Sequence, residues 1–243
     1  MNTFAKTYIA LVITAGFALL IAALAQWNSA DPARFIAFLI LGMLASTWKV
    51  KLPGITGTIS GSFLFILIGV AAFRFSETVL LASAAALVQC VWRAKKNPLP
   101  VQIAFNVATL SASAGLAWFG AHAIFEKFVP HSLVLLMVPA ACIFFVGDTG
   151  LVSGVIALVE QKSFLATWRE CHGWSFPYYV LGAALAALIS VSGRTSGWIA
   201  SLFIVPAMYL LYAYFRFYVE RATQERMRIE INNHEHEMVV STH

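Results

Sequence analysis

The chain is predicted to be all-α: a polytopic transmembrane helical bundle of about eight membrane segments with a C-terminal cytoplasmic helix. Three observations carry this. Of 243 residues, 60% are hydrophobic and only 11% charged, and the mean hydropathy is +0.80. A soluble domain carries roughly a quarter charged residues. The apolar character is nearly continuous from Thr7 to Tyr218, room for about seven or eight spans of about 20 residues each. After Phe215 the chemistry changes, and the chain continues as RFYVERATQERMRIEINNHEHEMVVSTH, charged and helix-forming. That break divides it into a transmembrane helical domain, 1–215, and a signalling or linker helix, 216–243.

The membrane segments are read as 8–27, 35–48, 58–73, 78–93, 101–125, 132–159, 175–192 and 196–215. The first follows Lys6, as a signal peptide would. Its apolar run is longer than a signal core and ends on Trp27, an interfacial aromatic, so it is read as a retained span. The second and third segments are short for full crossings. Between them Lys49, Lys51, Pro53, Gly54, Gly57 and Gly61 make a turn signal. The polar run 56–62 reads as a partly unwound start to the third segment, tolerable only where protein or water covers the backbone. Segment 132–159 has 28 residues, about 42 Å of helix against a bilayer core of about 30 Å. Two solutions are open: a tilted helix kinked at Pro139, or two half-helices broken at Gly147-Asp148-Thr149-Gly150.

Charge sets the orientation. With both termini inside, the inner connections hold Lys6, Lys49, Lys51, Arg93, Lys95, Lys96, Lys162 and Arg169, against Arg34, Arg74, Lys127 and Arg194 outside. Basic residues accumulate on the cytoplasmic side of membrane proteins, so the two termini are placed there. Net positive charge therefore records topology, and nucleic acid is excluded as a partner. Cys90, Cys142 and Cys171 show no CxxC spacing, so neither a disulfide framework nor a metal site is expected.

Asp148 is read as the acid set deep in an apolar segment. A carboxylate there must face the bundle interior, pair or be protonated. It is either a ligand or ion contact or a polar tie between helices. Gln89, Gln102, Asn106 and His122 form a second polar set, in which Gln102, Asn106 and Thr109 share one helical face. They either line a polar cavity or hydrogen-bond neighbouring helices. The stretch 160–174 reads as a short amphipathic helix on the inner surface, with Phe164, Leu165 and Trp168 as its apolar face. His234 and His236 are two residues apart, so on a helix they point to different faces and make no metal site. Phe217, Gln224, Ile231 and Met238 repeat every seven residues, a short heptad seam through which a homodimer is expected. No HExxH, GxSxG or paired Cys/His pattern occurs, so the chain is read as a non-enzyme without cofactor.

The succession KLPGITGTISGSFLF, NPLPVQIAFNVATLSASAGLAWF, GLVSGVIALVEQKSFLATWRE and PYYVLGAALAALI, followed by YLLYAYFRFYVERATQERMRIEINNHEHEMVVSTH, resembles the multispan N-terminal region of bacterial HD-GYP and GGDEF signalling proteins. The resemblance covers nearly the whole chain. It implies a bacterial inner membrane and a last span that continues into a helix leading to an output domain acting on cyclic di-GMP. Asn106 after Phe105 fits the pattern; Asp148 departs from it, since the resemblance implies Asn there. No HD pair, GYP or GGDEF is present, so the catalytic activity is not carried over, and the chain is either truncated or a stand-alone module.

The expected function is a sensory or anchoring input domain that relays a signal through its last helix. Its expected partners are the lipid bilayer, a second copy of the chain and a small-molecule ligand near Asn106, Asp148, Gln102, Gln89 and His122. The alternative is a transporter subunit, similar in size to the substrate-binding membrane proteins of vitamin uptake systems.

Overall fold

Eight α-helices and one short hairpin form the described residues of the chain: α1 (Thr3–Ala25), α2 (Pro32–Ala45), β1 (Lys49–Lys51), β2 (Thr58–Ser60), α3 (Ser62–Ala72), α4 (Phe75–Val91), α5 (Pro100–Phe119), α6 (Leu133–Glu160), α7 (Phe164–His172) and α8 (Phe176–Thr195). The computed structural model describes residues 3–51, 58–94, 97–125, 133–172 and 175–195, and beyond them 197, 199, 206, 209, 210, 212–214, 216–218, 220, 221 and 224. Among the described residues, three helices are long and apolar enough to cross a membrane: Thr3–Ala25, Pro100–Ala123 and Leu135–Glu160. The first seven expected segments each correspond to a helix. Most of segment 196–215 and of the 216–243 helix lies outside the described residues, as do the side chains of His234 and His236.

We call the end of the bundle where α1 begins proximal and the other distal. α3 sits at the centre. Ten of its eleven residues are buried, and it packs on α2, α4, α5, α6 and α8. A helix apolar all round has no solvent-facing side and is held as core. At 1.5 Å per residue it is only about 16 Å long, half a bilayer core. Around it the distal end is closed by edge-to-face aromatic pairs, Trp27–Phe35, Phe35–Phe73 and Phe75–Trp118, with ring centroids 5.1, 6.0 and 5.7 Å apart. α1 is peripheral: its buried residues Ala5, Val12, Gly16 and Ala23 form one stripe of small side chains against the bundle. A Cβ on Gly16 would lie 2.4 Å from the Ala108 Cα, so glycine is what lets α1 approach α5 this closely.

Two expectations meet corrections here, and one open choice is resolved. Residues 58–60 are not helical: β2 pairs antiparallel with β1, Lys49 opposite Ser60 and Lys51 opposite Thr58, so the helix starts at Ser62. Strand pairing satisfies backbone groups that an unwound segment would leave open. Segment 132–159 is one continuous helix, α6, with Pro139 inside it. Gly147 and Gly150 do not break it. Gly147 faces Ser113 of α5, whose Oγ lies 3.1 Å from where a Cβ would stand, so that glycine serves close packing instead. Finally, α7 does not simply lie on a surface. Its Trp168 packs on Phe145 and bonds Thr149, eleven residues before Glu160, where α6 ends. At 1.5 Å per residue that is about 16 Å back along α6.

Candidate functional site

α8 therefore starts beside the middle of α6, where Asp148 lies. The Tyr179 hydroxyl donates to Asp148 Oδ2 at 3.2 Å. Thr149, the next residue, is buried; its hydroxyl donates to Phe145 O and accepts the Trp168 indole N–H at 2.9 Å. Helices α6 and α8 thus meet at one carboxylate, which α6 supplies and to which α8 donates, while α7 is tied to the neighbouring Thr149. Tyr179 also packs against Phe63 of the central helix, ring centroids 4.9 Å apart. A polar group at this depth needs such partners, because lipid offers none.

Distal of Tyr179, α6 and α8 enclose a cleft of about 290 Å³. Its walls include Met137, Ala141 and Phe145 on one side and Tyr179, Ala183 and Ala187 on the other. Small side chains leave the space; neither helix fills it. Val138 and Val180 at its rim are 60% and 50% exposed, so the cleft opens sideways.

The proximal end holds a second polar group. Ser60 Oγ lies 2.7 Å from Ser62 Oγ and donates to Gln89 Oε1 at 2.9 Å. The Lys49 ammonium donates to Trp92 O at 2.6 Å. Burial pulls its pKa below the ordinary lysine value, and the nearby Cys90 opposes that shift. Asn106 Nδ2 donates to Cys90 Sγ at 3.3 Å. The last segment docks on this same hairpin: the Trp48 ring stacks on Tyr212 at 5.8 Å and meets Tyr209 edge-on at 5.3 Å. The Tyr212 hydroxyl donates to Lys49 O at 3.3 Å.

The five residues singled out in the sequence are thus distributed, not gathered. Gln89 and Asn106 sit in the proximal group on α4 and α5. Gln102 accepts from Leu99 N at 3.1 Å and caps its own helix. Thr109 is fully buried while Gln102 and Asn106 are exposed, so their shared face turns from surface to interior along its length. Asp148 faces α8, a different interface from that of Asn106. His122 is distal, stacked on Trp118 at 4.4 Å in a π-helical turn, Gly120–Phe125, roughly 24 Å along α5 from Asn106. Among the described residues no group of His, Cys, Asp and Glu could hold a metal ion.

Sequence reasoning missed one buried acid. Glu77 is 3% exposed and accepts from Ser29 Oγ at 2.6 Å and from Arg74 N at 2.9 Å. Its place in the first turn of a helix, three residues after Arg74, was the available signal. Comparison with protein-family models, with curated proteins and with solved structures finds no match.

Proposed function

We propose that this chain is the sensory or anchoring input domain of a bacterial inner-membrane signalling protein of the cyclic-di-GMP type. In this reading it has eight spans, both termini are cytoplasmic, and the last helix carries the signal out. One observation carries the relay: Tyr209 and Tyr212 rest on Trp48, and Tyr212 bonds Lys49 O. Lys49 in turn bonds α4 through Trp92 O, and Ser60 of the paired strand bonds Gln89. A shift in the bundle that moves the hairpin moves the last segment with it. A ligand drives such a shift only through its differential affinity for the two arrangements. Asn106 and Asp148 stand at two interfaces, α4–α5 and α6–α8, where packing can respond.

The test fuses an HD-GYP or GGDEF output domain after His243. Trp48→Ala and Tyr212→Phe are expected to change its output, while Leu165→Ala, at an exposed position, leaves it unchanged. Equal output from all of these proteins would overturn the relay. A reporter enzyme placed after His243 is expected to work only in the cytoplasm.

A transport subunit is the second reading, favoured by two elements that stop short within the bundle, the hairpin with α3 and α7 with α8. Discontinuous helices of this kind frame substrate sites in transporters. It predicts a ligand and partner subunits that copurify with the chain.

A further inference from the structure

Asp148 adjoins the α6–α8 cleft through Tyr179, which lines it. Ala141, Phe145 and Asp148 follow at spacings of four and three, so they share a helix face. The first two line the cleft, and Asp148 extends that face one turn inward. From the other side Tyr179 both lines the cleft and donates to Asp148 Oδ2. The cleft itself is apolar, and the Asp148–Tyr179 pair stands just beyond its inner end. A carboxylate accepts at about four lone-pair positions, and Tyr179 uses one of them.

We propose that this chamber binds a single-chain amphiphile drawn sideways from the bilayer, with a hydrogen-bond-donating head, hydroxyl or ammonium, against Asp148. The chain lies along Ala141, Ala183, Ala184 and Ala187 and leaves between Val138 and Val180. Charge complementarity selects the head: an acceptor-only group such as an ester brings nothing to a carboxylate. Volume selects the body. At about 290 Å³ the chamber lies at the small end of ligand sites, which begin at about 300 Å³, so it has room for part of one alkyl chain and not for a second. The proposal supplies a ligand class to the sensory reading and rests on that reading only for its consequence, since binding itself needs no output domain.

The test uses the full chain in phosphatidylcholine vesicles with a photoactivatable analogue of tetradecanol, adducts being located by peptide mass spectrometry. Adducts are expected on the peptides holding 137–145 and 180–187. Unlabelled tetradecanol and tetradecylamine should each compete about tenfold better than methyl myristate, the preference given by one hydrogen bond to a charged group. Asp148→Leu should abolish that preference, and Asp148→Asn, which keeps the shape, should reduce it. Equal competition by the methyl ester would overturn the proposal, because any lipid chain would then fill the cleft. So would adducts spread over the exposed face of α1 at Leu11 and Ile21. Specific labelling with a silent output domain would sink the relay and spare the site. A working relay without specific labelling would do the reverse.

Discussion

Tyr179 reaches across from α8 to Asp148 of α6, its hydroxyl 3.2 Å from Oδ2, and this bond joins two helices that otherwise leave a cleft between them. Interhelical bonds in membranes average about 0.6 kcal/mol and reach about 1.7. Because the acceptor is a carboxylate, Tyr179→Phe is expected near the upper figure, about 1.5 kcal/mol. The ring contacts with Phe63, Phe144 and Phe145 survive that change. A double-mutant cycle with Asp148→Asn, read by thermal unfolding in detergent, should show coupling of about 0.5 kcal/mol or more. Additive effects would mean that the bond does not tie the helices.

Two glycines give opposite expectations from the same substitution. At Gly16 a new Cβ meets Ala108 backbone at 2.4 Å, which no side-chain movement relieves, so Gly16→Ala forces α1 from α5 at a cost of about 1–3 kcal/mol. At Gly150 nothing lies within 4 Å. Gly150→Ala is therefore expected to stabilise the chain by about 0.5–1 kcal/mol, the helix-interior penalty of glycine. Thermal midpoints of the two variants should move in opposite directions, and parallel movement would contradict the α1–α5 contact.

Trp168 fixes α7 to the bundle through its indole N–H on Thr149 and its ring on Phe145, 6.0 Å between centroids. Trp168→Phe keeps an aromatic ring and removes the donor, leaving the buried Thr149 hydroxyl without it, at about 1 kcal/mol. Local opening of α7 should rise about fivefold at that cost. Trypsin cleavage after Lys162 and Arg169, which flank or lie within α7, reports it. An unchanged cleavage rate would show that α7 is held by other contacts.

How far the fold was legible follows from what each residue depends on. The long apolar runs announced α1, α5 and α6, because lipid demands helices and hydropathy measures lipid. The direction in which a polar side chain points depends on its neighbours. Trp168 belonged to an apparent surface stripe with Phe164 and Leu165, yet it turns inward while they stay 46% and 70% exposed. The β1–β2 pairing was hidden for the same reason, since three-residue strands carry too short an alternation to read. Asp148 was legible because a lone carboxylate in an apolar run is costly wherever it points. Its partner Tyr179 was one tyrosine among seven, and only the folded chain selects it.

Glu77 makes the last case, a buried carboxylate that three local demands explain. It stands in the first turn of α4, where negative charge is favoured by about 0.3–1 kcal/mol. It accepts Arg74 N at 2.9 Å, which caps the helix start, an arrangement worth about 1 kcal/mol. It accepts Ser29 Oγ at 2.6 Å and so pins the α1–α2 connection to α4. Glu77→Ala removes all three and is expected to cost about 2–3 kcal/mol. Ser29→Ala removes only the last and should cost about 1 kcal/mol. In the Glu77→Ala background Ser29→Ala should cost almost nothing further, because its acceptor is gone. Thermal unfolding of the four proteins decides this, and a full additional loss in the double variant would assign Ser29 a role apart from Glu77.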